Sequence, residues 1–265
     1  MSNYFQKIAL IRNLQTELQI KIPMKKLLLT LTLTLFLPFV LFSQNIEVIY
    51  KTNVVDIDKL SSQNNIYEFQ RNMLVASPTK SVYRSFNIDT IIPSPEGLFR
   101  QEKDTLSVVL FKDLVNQWAY SKKFEPNPMI VKEEGYAVKW KITEKHKTIL
   151  GYKTQQATGS FRGRNYSVYF CPELPYRTGP FKFDGLPGLI LEVVSDDAEV
   201  KIEALSIQLN SKGKVENPFE GKPTVSWAFY YITVTKFIDK FNRSMVNDEG
   251  ESMGSMSIKG IELTQ

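Results

Sequence analysis

Tyr136, Val138 and Trp140 fall on one side of a period of two, while Ala137, Lys139 and Lys141 fall on the other. This is the pattern of a half-buried β-strand, and it predicts one over Tyr136–Thr143 with a single aromatic face. Near the front of the chain Ile46, Val48 and Tyr50 alternate in the same way with Glu47 and Lys51. Further strands are predicted over 66–75 and 81–88, joined by the turn Ala76-Ser77-Pro78-Thr79, and over 106–111, 149–157, 166–171, 189–194 and 200–209. Residues 89–101, with Pro93, Pro95 and Gly97, read as a surface loop, and 114–120 fits neither period cleanly. Strands so closely spaced pair as an antiparallel meander, whose apolar face needs cover. Residues 233–245 can supply it: Phe237, Ile238, Phe241 and Met245 recur at helical spacing, with Lys236, Asp239, Lys240 and Arg243 facing away. The predicted fold class is mainly β (α+β): a single antiparallel meander sheet, curved or partly barrel-like, covered by a C-terminal helix. A polar stretch over 247–257 and a short terminal strand over 257–263 end the chain.

One stretch breaks the alternation. In GPFKFDGLPGLILEV, residues 179–193, the run Leu189-Ile190-Leu191 has no polar partner, which predicts a strand buried on both faces. Leu186-Pro187-Gly188-Leu189 before it fits a type II turn. Pro187 presets the second position and Gly188 takes the positive φ of the third. Gly185 is free to bend or to approach another backbone closely. The stretch is therefore first a structural hinge that launches a central strand, with Asp184 and Glu192 as its nearest carboxylates.

The first 43 residues have a different character. Lys25 and Lys26 precede 16 mostly apolar residues, Leu27–Phe42, and Ser43 offers a small side chain before a cut. The run falls short of the roughly 20 residues of a spanning helix, and Pro38 interrupts it. Residues 24–43 accordingly read as a secretory signal peptide cleaved before Gln44, and residues 1–23 as an extension ahead of the true start at Met24. Residues 44–265 then form a single β-rich domain. The mature protein is expected to be exported to the periplasm or outside the cell, with no stable membrane span after cleavage. Five of the 33 basic residues and one of the 28 acidic ones lie in the first 43, which leaves 28 against 27. A balance so close to neutral points to no nucleic-acid partner. Cys171 is the single cysteine, so the exported domain has no internal disulfide, and no cysteine closes the leader for a lipid anchor.

Candidate chemistry is sparse. His146, the single histidine, sits in the charged run Glu144-Lys145-His146-Lys147, read as an exposed turn, so a Ser/His/Asp set or a histidine metal site would rest on it alone. Cys171, beside Pro172, reads as a small hydrophobe. Asp184 with Glu192 and Glu173 is a possible carboxylate or Ca²⁺ set, although Asp before Gly is ordinary turn chemistry. Arg162, Arg164 and Tyr166 bring cationic and aromatic groups together, suited to an anionic ligand or a sugar, against the plainer reading of a solvated strand face. Trp118, Trp140 and Trp227 read as packing. The candidate ligand residues are thus Arg162, Arg164, Tyr166 and Asp184, and no catalytic set, metal site or cofactor is expected.

Gly185-Leu186-Pro187-Gly188-Leu189-Ile190 resembles the signature of the GLPGLI family, exported proteins of Gram-negative bacteria whose biochemical function is not established. Ile149-Leu150-Gly151-Tyr152, Ala157-Thr158, Phe161-Arg162-Gly163-Arg164, Pro172-Glu173-Leu174-Pro175 and Gly179-Pro180-Phe181-Lys182-Phe183 resemble the family's other shared segments in their usual order. The likeness is strong over 136–195 and weaker over 44–245. Family members often carry a cysteine at what is here Thr154, and this chain does not. Two function classes follow: a non-enzymatic envelope protein binding a peptide, lipid or protein partner, or a periplasmic hydrolase using carboxylates or His146.

Overall fold

The computed structural model describes residues 44–54, 68–94, 97–123 and 127–246. The expected leader and the strand predicted over 257–263 lie outside these residues. The chain separates into Met1–Ser43 and Gln44–Gln265, and the described fold belongs to the second unit.

Among the described residues there are twelve strands and one helix: β1 (Asn45–Val54), β2 (Glu68–Ala76), β3 (Lys80–Ser94), β4 (Gly97–Asp113), β5 (Trp118–Lys123), β6 (Met129–Glu134), β7 (Lys141–Ile149), β8 (Tyr152–Phe161), β9 (Arg164–Cys171), β10 (Leu189–Ser195), β11 (Val200–Ser211), β12 (Val225–Ser226) and α1 (Trp227–Ser244). They form one open sheet in the order β12-β6-β5-β4-β3-β2-β1-β11-β10-β9-β8-β7. Two meanders, β1 to β6 and β7 to β11, are joined through the antiparallel pairing of β1 with β11. Only the two-residue β12 runs parallel, beside β6. The hairpins β7–β8 and β8–β9 turn on Leu150-Gly151 and Arg162-Gly163, each pair with φ positive at both residues, the geometry of a twist-matched two-residue turn.

Alternation read correctly along most strands but misplaced three segments. Residues 89–101 are not a loop: β3 and β4 stay paired out to Ser94 and Gly97. There the hairpin extends beyond its neighbours, since β2 pairs with β3 only over Ser81–Ser85 and β5 with β4 only over Leu110–Asp113. A strand with a free outer edge tolerates the missing N–H of Pro93. Residues 136–140 form no ladder. Tyr136 and Val138 are buried and Ala137 and Lys139 exposed, as the period demands, but this extended segment lies over Gly159 and not beside a strand. His146 is in β7 rather than a turn, and the turn falls at Leu150-Gly151.

The core lies on one face of the sheet. Ile46, Val48 and Tyr50 of β1 meet Leu74, Leu110, Val168, Phe170, Val193 and Ile202, all at most 1 % exposed. Leu189, Ile190 and Leu191 are fully buried, as the unalternating run requires. A smaller cluster of Val82, Phe111 and Phe219 forms separately. A single C-terminal helix packs on the sheet; it starts at Trp227, earlier than the pattern predicted, where Ser226 Oγ accepts from Phe229 N (3.2 Å) as its N-cap. None of its residues is buried. Most of the cover over the core comes instead from the segment between β9 and β10, through Leu174, Phe183 and Leu186.

Candidate functional site

The covering segment, residues 172–188, alternates what it sends downward. Phe183 packs against Tyr166, Phe161 and Trp140, with ring centroids 4.8, 5.9 and 6.3 Å away. The charged residues on either side of it reach opposite charges on the sheet. Lys182, fully buried, pairs with Glu133 of β6, which also takes Arg162 at 2.5 Å. Asp184 pairs with Lys112 of β4 at 3.6 Å. A loop lysine on a sheet carboxylate and a loop carboxylate on a sheet lysine fix the segment in one register, because a shifted loop would leave Lys112, Asp184 and Lys182 buried without their partners.

Lys112 does more than meet Asp184. Its Nζ donates to the carbonyls of Gly179 (3.1 Å) and Phe183 (3.3 Å), closing the loop from beneath. Burial pulls Lys112 down to about 8, against the opposing pull of Asp184. Burial likewise pushes Asp184 up, opposed first by Lys112 and then by the hydroxyl of Tyr136, which donates to Oδ2 at 2.6 Å. Tyr136 is itself pushed upward, by burial and by the neighbouring carboxylate. From the same extended segment Trp140 Nε1 donates to the Asp184 carbonyl at 2.7 Å. The aromatic alternation at 136–140 thus serves the loop and not a ladder.

Above this group opens a cleft of about 310 Å³. Pro78, Leu114 and Val115 form an apolar wall, Gln117, Tyr136, Arg177 and Asp184 supply polar groups, and Gly185 completes the lining. Arg177 is exposed, with Nη2 donating to the Gly185 carbonyl at 3.3 Å. Both Tyr136 and Lys112 reach Oδ2 of Asp184, and among the described residues no hydrogen bond reaches Oδ1. The cleft therefore presents an acceptor inside, a guanidinium at the rim and an apolar wall between them, at the small end of ligand-pocket size.

Of the residues singled out in the sequence, Asp184 lines this cleft and the other three lie elsewhere. Arg164 is buried on β9, with Nε 2.7 Å from Asp197 and Nη2 against Glu199. Tyr166 is in the core at 1 % exposure. Arg162 clamps Glu133 and stacks on Trp227 of α1, 3.8 Å from the ring centroid. These residues make neither a solvated strand face nor one ligand surface. Of the motif residues, Gly185 lines the cleft, Leu186 is buried and Pro187 is exposed, while Gly188 is buried and leads into Leu189 and Ile190 of β10. The expected type II turn is not formed: φ is positive at Gly185 (+89°) and not at Gly188. A Cβ at Gly188 would stand 2.2 Å from the Cys171 carbonyl oxygen, so that glycine answers to close backbone approach, while the bend belongs to Gly185.

Glu192 is engaged by Lys147 at 2.5 Å, Glu173 is exposed, and His146 is exposed on edge strand β7 with Nδ1 2.8 Å from the Glu144 carbonyl. None of the three lines the cleft with Asp184. Among the described residues no three His, Cys, Asp or Glu side chains gather as a metal site. Lys112, Glu133, Tyr136 and Arg177 were not singled out in the sequence as site residues. A signal for two of them was present: Lys112 follows Leu110 and Glu133 follows Val131 on the inward period, where an apolar side chain is expected.

No protein-family model and no curated protein sequence matches the chain. Two solved structures of PNGF-II are similar in part. The one in the C2 space group is 18 % identical at a TM-score of 0.48, covering 74 % of this chain and 33 % of that one. The one in P21 is 17 % identical at a TM-score of 0.49, covering 74 % and 34 %. The chain spans about a third of the length of PNGF-II.

Proposed function

We propose that this is an exported envelope protein of the GLPGLI family that binds, without turnover, a peptide segment of a partner at the Asp184 cleft. The observation that carries the reading is the cleft's make-up. Asp184 Oδ1 accepts a donor from the ligand, Arg177 at the rim takes a carboxylate, and Pro78, Leu114 and Val115 hold an aliphatic side chain. The loop beneath is fixed by the Lys112–Asp184 and Lys182–Glu133 pairs, so little ordering cost falls on binding. Neither His146 nor a second carboxylate lines the cleft, so the groups on which the hydrolase reading rests are not assembled around Asp184.

A displayed-peptide selection tests the binding site, with Val115→Arg to fill the wall and Arg177→Glu to reverse the rim. Peptides enriched by the parent protein are expected to lose binding to both variants at unchanged melting temperature. Enrichment that ignores both substitutions, or hydrolysis of a peptide, ester or glycoside that depends on Asp184, would overturn the reading. Export is tested apart from this, by N-terminal sequencing of the protein recovered outside the cytoplasm. A chain beginning at Gln44 supports it, and one retaining Ser2–Pro23 counts against it.

A further inference from the structure

Phe229, Ile232, Lys236, Lys240 and Arg243 recur along α1 at spacings of three and four, and all five are exposed. They make one stripe, apolar in its N-terminal half and basic in its C-terminal half, with Phe237 (37 % exposed) along its border. Phe229 and Ile232 are 55 % and 47 % exposed and, with Phe237, place three large apolar side chains together on the outer part of one helix. The opposite side of α1 makes that packing: Trp227, Tyr231, Ile238 and Phe241 are half-buried, and Trp227 receives Arg162 and Lys182 over its ring. The outward stripe is thus surplus to the fold of the described residues.

We propose that this stripe is a docking surface for an anionic lipid bilayer, independent of the cleft. Its charge is one-sided, three basic residues against the single acid Asp239 in the whole helix, so the matching surface is negative. No residue of α1 is fully buried, and the apolar side chains of its outer face are spread along a convex line rather than gathered at one point. That shape suits insertion among headgroups better than a protein pocket, which fits apolar groups gathered at one point. Phe229 and Ile232 enter the acyl boundary, while Lys236, Lys240 and Arg243 lie along lipid phosphates with their stems on the apolar edge. Among the described residues no helix is long and apolar enough to cross a membrane, which leaves α1 to lie along the surface.

The test uses the full chain carrying an environment-sensitive fluorophore on the cysteine introduced by Ile232→Cys; Cys171 is buried and does not compete for the label. The same label at Ser160→Cys, exposed on β8, is the control, because any tethering by the apolar leader acts on both probes alike. A blue shift is expected at position 232 with phosphatidylglycerol vesicles, none with phosphatidylcholine vesicles, and none at position 160. Combining Lys236→Glu, Lys240→Glu and Arg243→Glu is expected to abolish it. The proposal is overturned by the absence of a shift with phosphatidylglycerol, by equal shifts on both lipids, by a shift that survives charge reversal, or by one that grows with protein concentration without vesicles.

Discussion

Lys112 and Asp184 lie 3.6 Å apart under the loop that joins β9 to β10, the lysine fully buried and the carboxylate nearly so. One comes from the sheet and the other from the loop, and the neighbouring pair of Lys182 with Glu133 repeats the arrangement with the signs exchanged. The two pairs specify where the loop sits more than they stabilise it, since burial works against both Lys112 and Asp184 as ions. The cleft inherits its geometry from them.

Breaking the pair from one side should be costly. Lys112→Met leaves Asp184 buried without its cation and two loop carbonyls without their donor, and is expected to cost about 3–5 kcal/mol. Adding Asp184→Asn removes the stranded charge and should recover a large part of that loss. Urea unfolding of the two single variants and the double variant reads the coupling, and additive losses would show that the pair does not act as a unit.

The same lysine gives a pH signature. Its folded-state pKa is lowered, from 10.5 to about 8, so between those values the unfolded chain holds a proton that the folded chain has released. Stability from this group therefore rises with pH across that window, and the cost of burying the charge is fully present below it. The stability of the parent protein relative to Lys112→Met is expected to climb from about pH 8 toward 10.5, which a series of urea midpoints would detect. A flat difference would mean that burial does not lower the lysine's pKa, and a falling one that Asp184 holds the cation more strongly than burial opposes it.

How much of this could be read beforehand depended on whether a residue's role was local. The run Leu189-Ile190-Leu191 announced a strand buried on both faces because burial on both faces leaves no room for alternation. Tyr136, Val138 and Trp140 announced an extended segment, but whether it joins a ladder depends on what lies beside it, and the period of two is the same in either event. Arg164 and Tyr166 looked like surface chemistry because nothing nearby in sequence reveals Asp197, Glu199 or Phe183 as their neighbours. Lys112 and Glu133 stood on inward positions of their strands, a conflict between charge and period that marks a buried partner without saying which. Both partners lie in the loop, 72 and 49 positions further on.

Cys171 should behave as a core residue. Its side chain is fully buried at the end of β9, and burial pushes its thiol above the ordinary range, so the thiolate is scarce at neutral pH. A disulfide reagent is expected to react slowly with the folded protein and at the rate of a free thiol once denaturant unfolds it. Prompt reaction in the native state would place Cys171 at an accessible, activated position and reopen a chemical role for it.

Gly185 and Gly188 should tolerate substitution for different reasons and to different extents. At Gly185 the backbone is left-handed (φ +89°) but nothing stands within 4 Å of a would-be Cβ, so Gly185→Ala costs the conformational penalty alone, about 1–2 kcal/mol. At Gly188 the conformation suits any residue, yet a Cβ would press on the backbone of Cys171 and Pro172, the nearest atom at 2.2 Å. Relief requires prising the start of β10 away from the end of β9, where Leu189 pairs with Cys171. Gly188→Ala is therefore expected to destabilise more than Gly185→Ala, and Gly188→Val more again, in thermal or urea unfolding. Gly185→Asn should recover part of the loss at 185, because asparagine accepts left-handed backbone, whereas no residue with a Cβ should do so at 188. The reverse order of cost would return the positive φ to Gly188 and restore the type II turn that the sequence alone predicts.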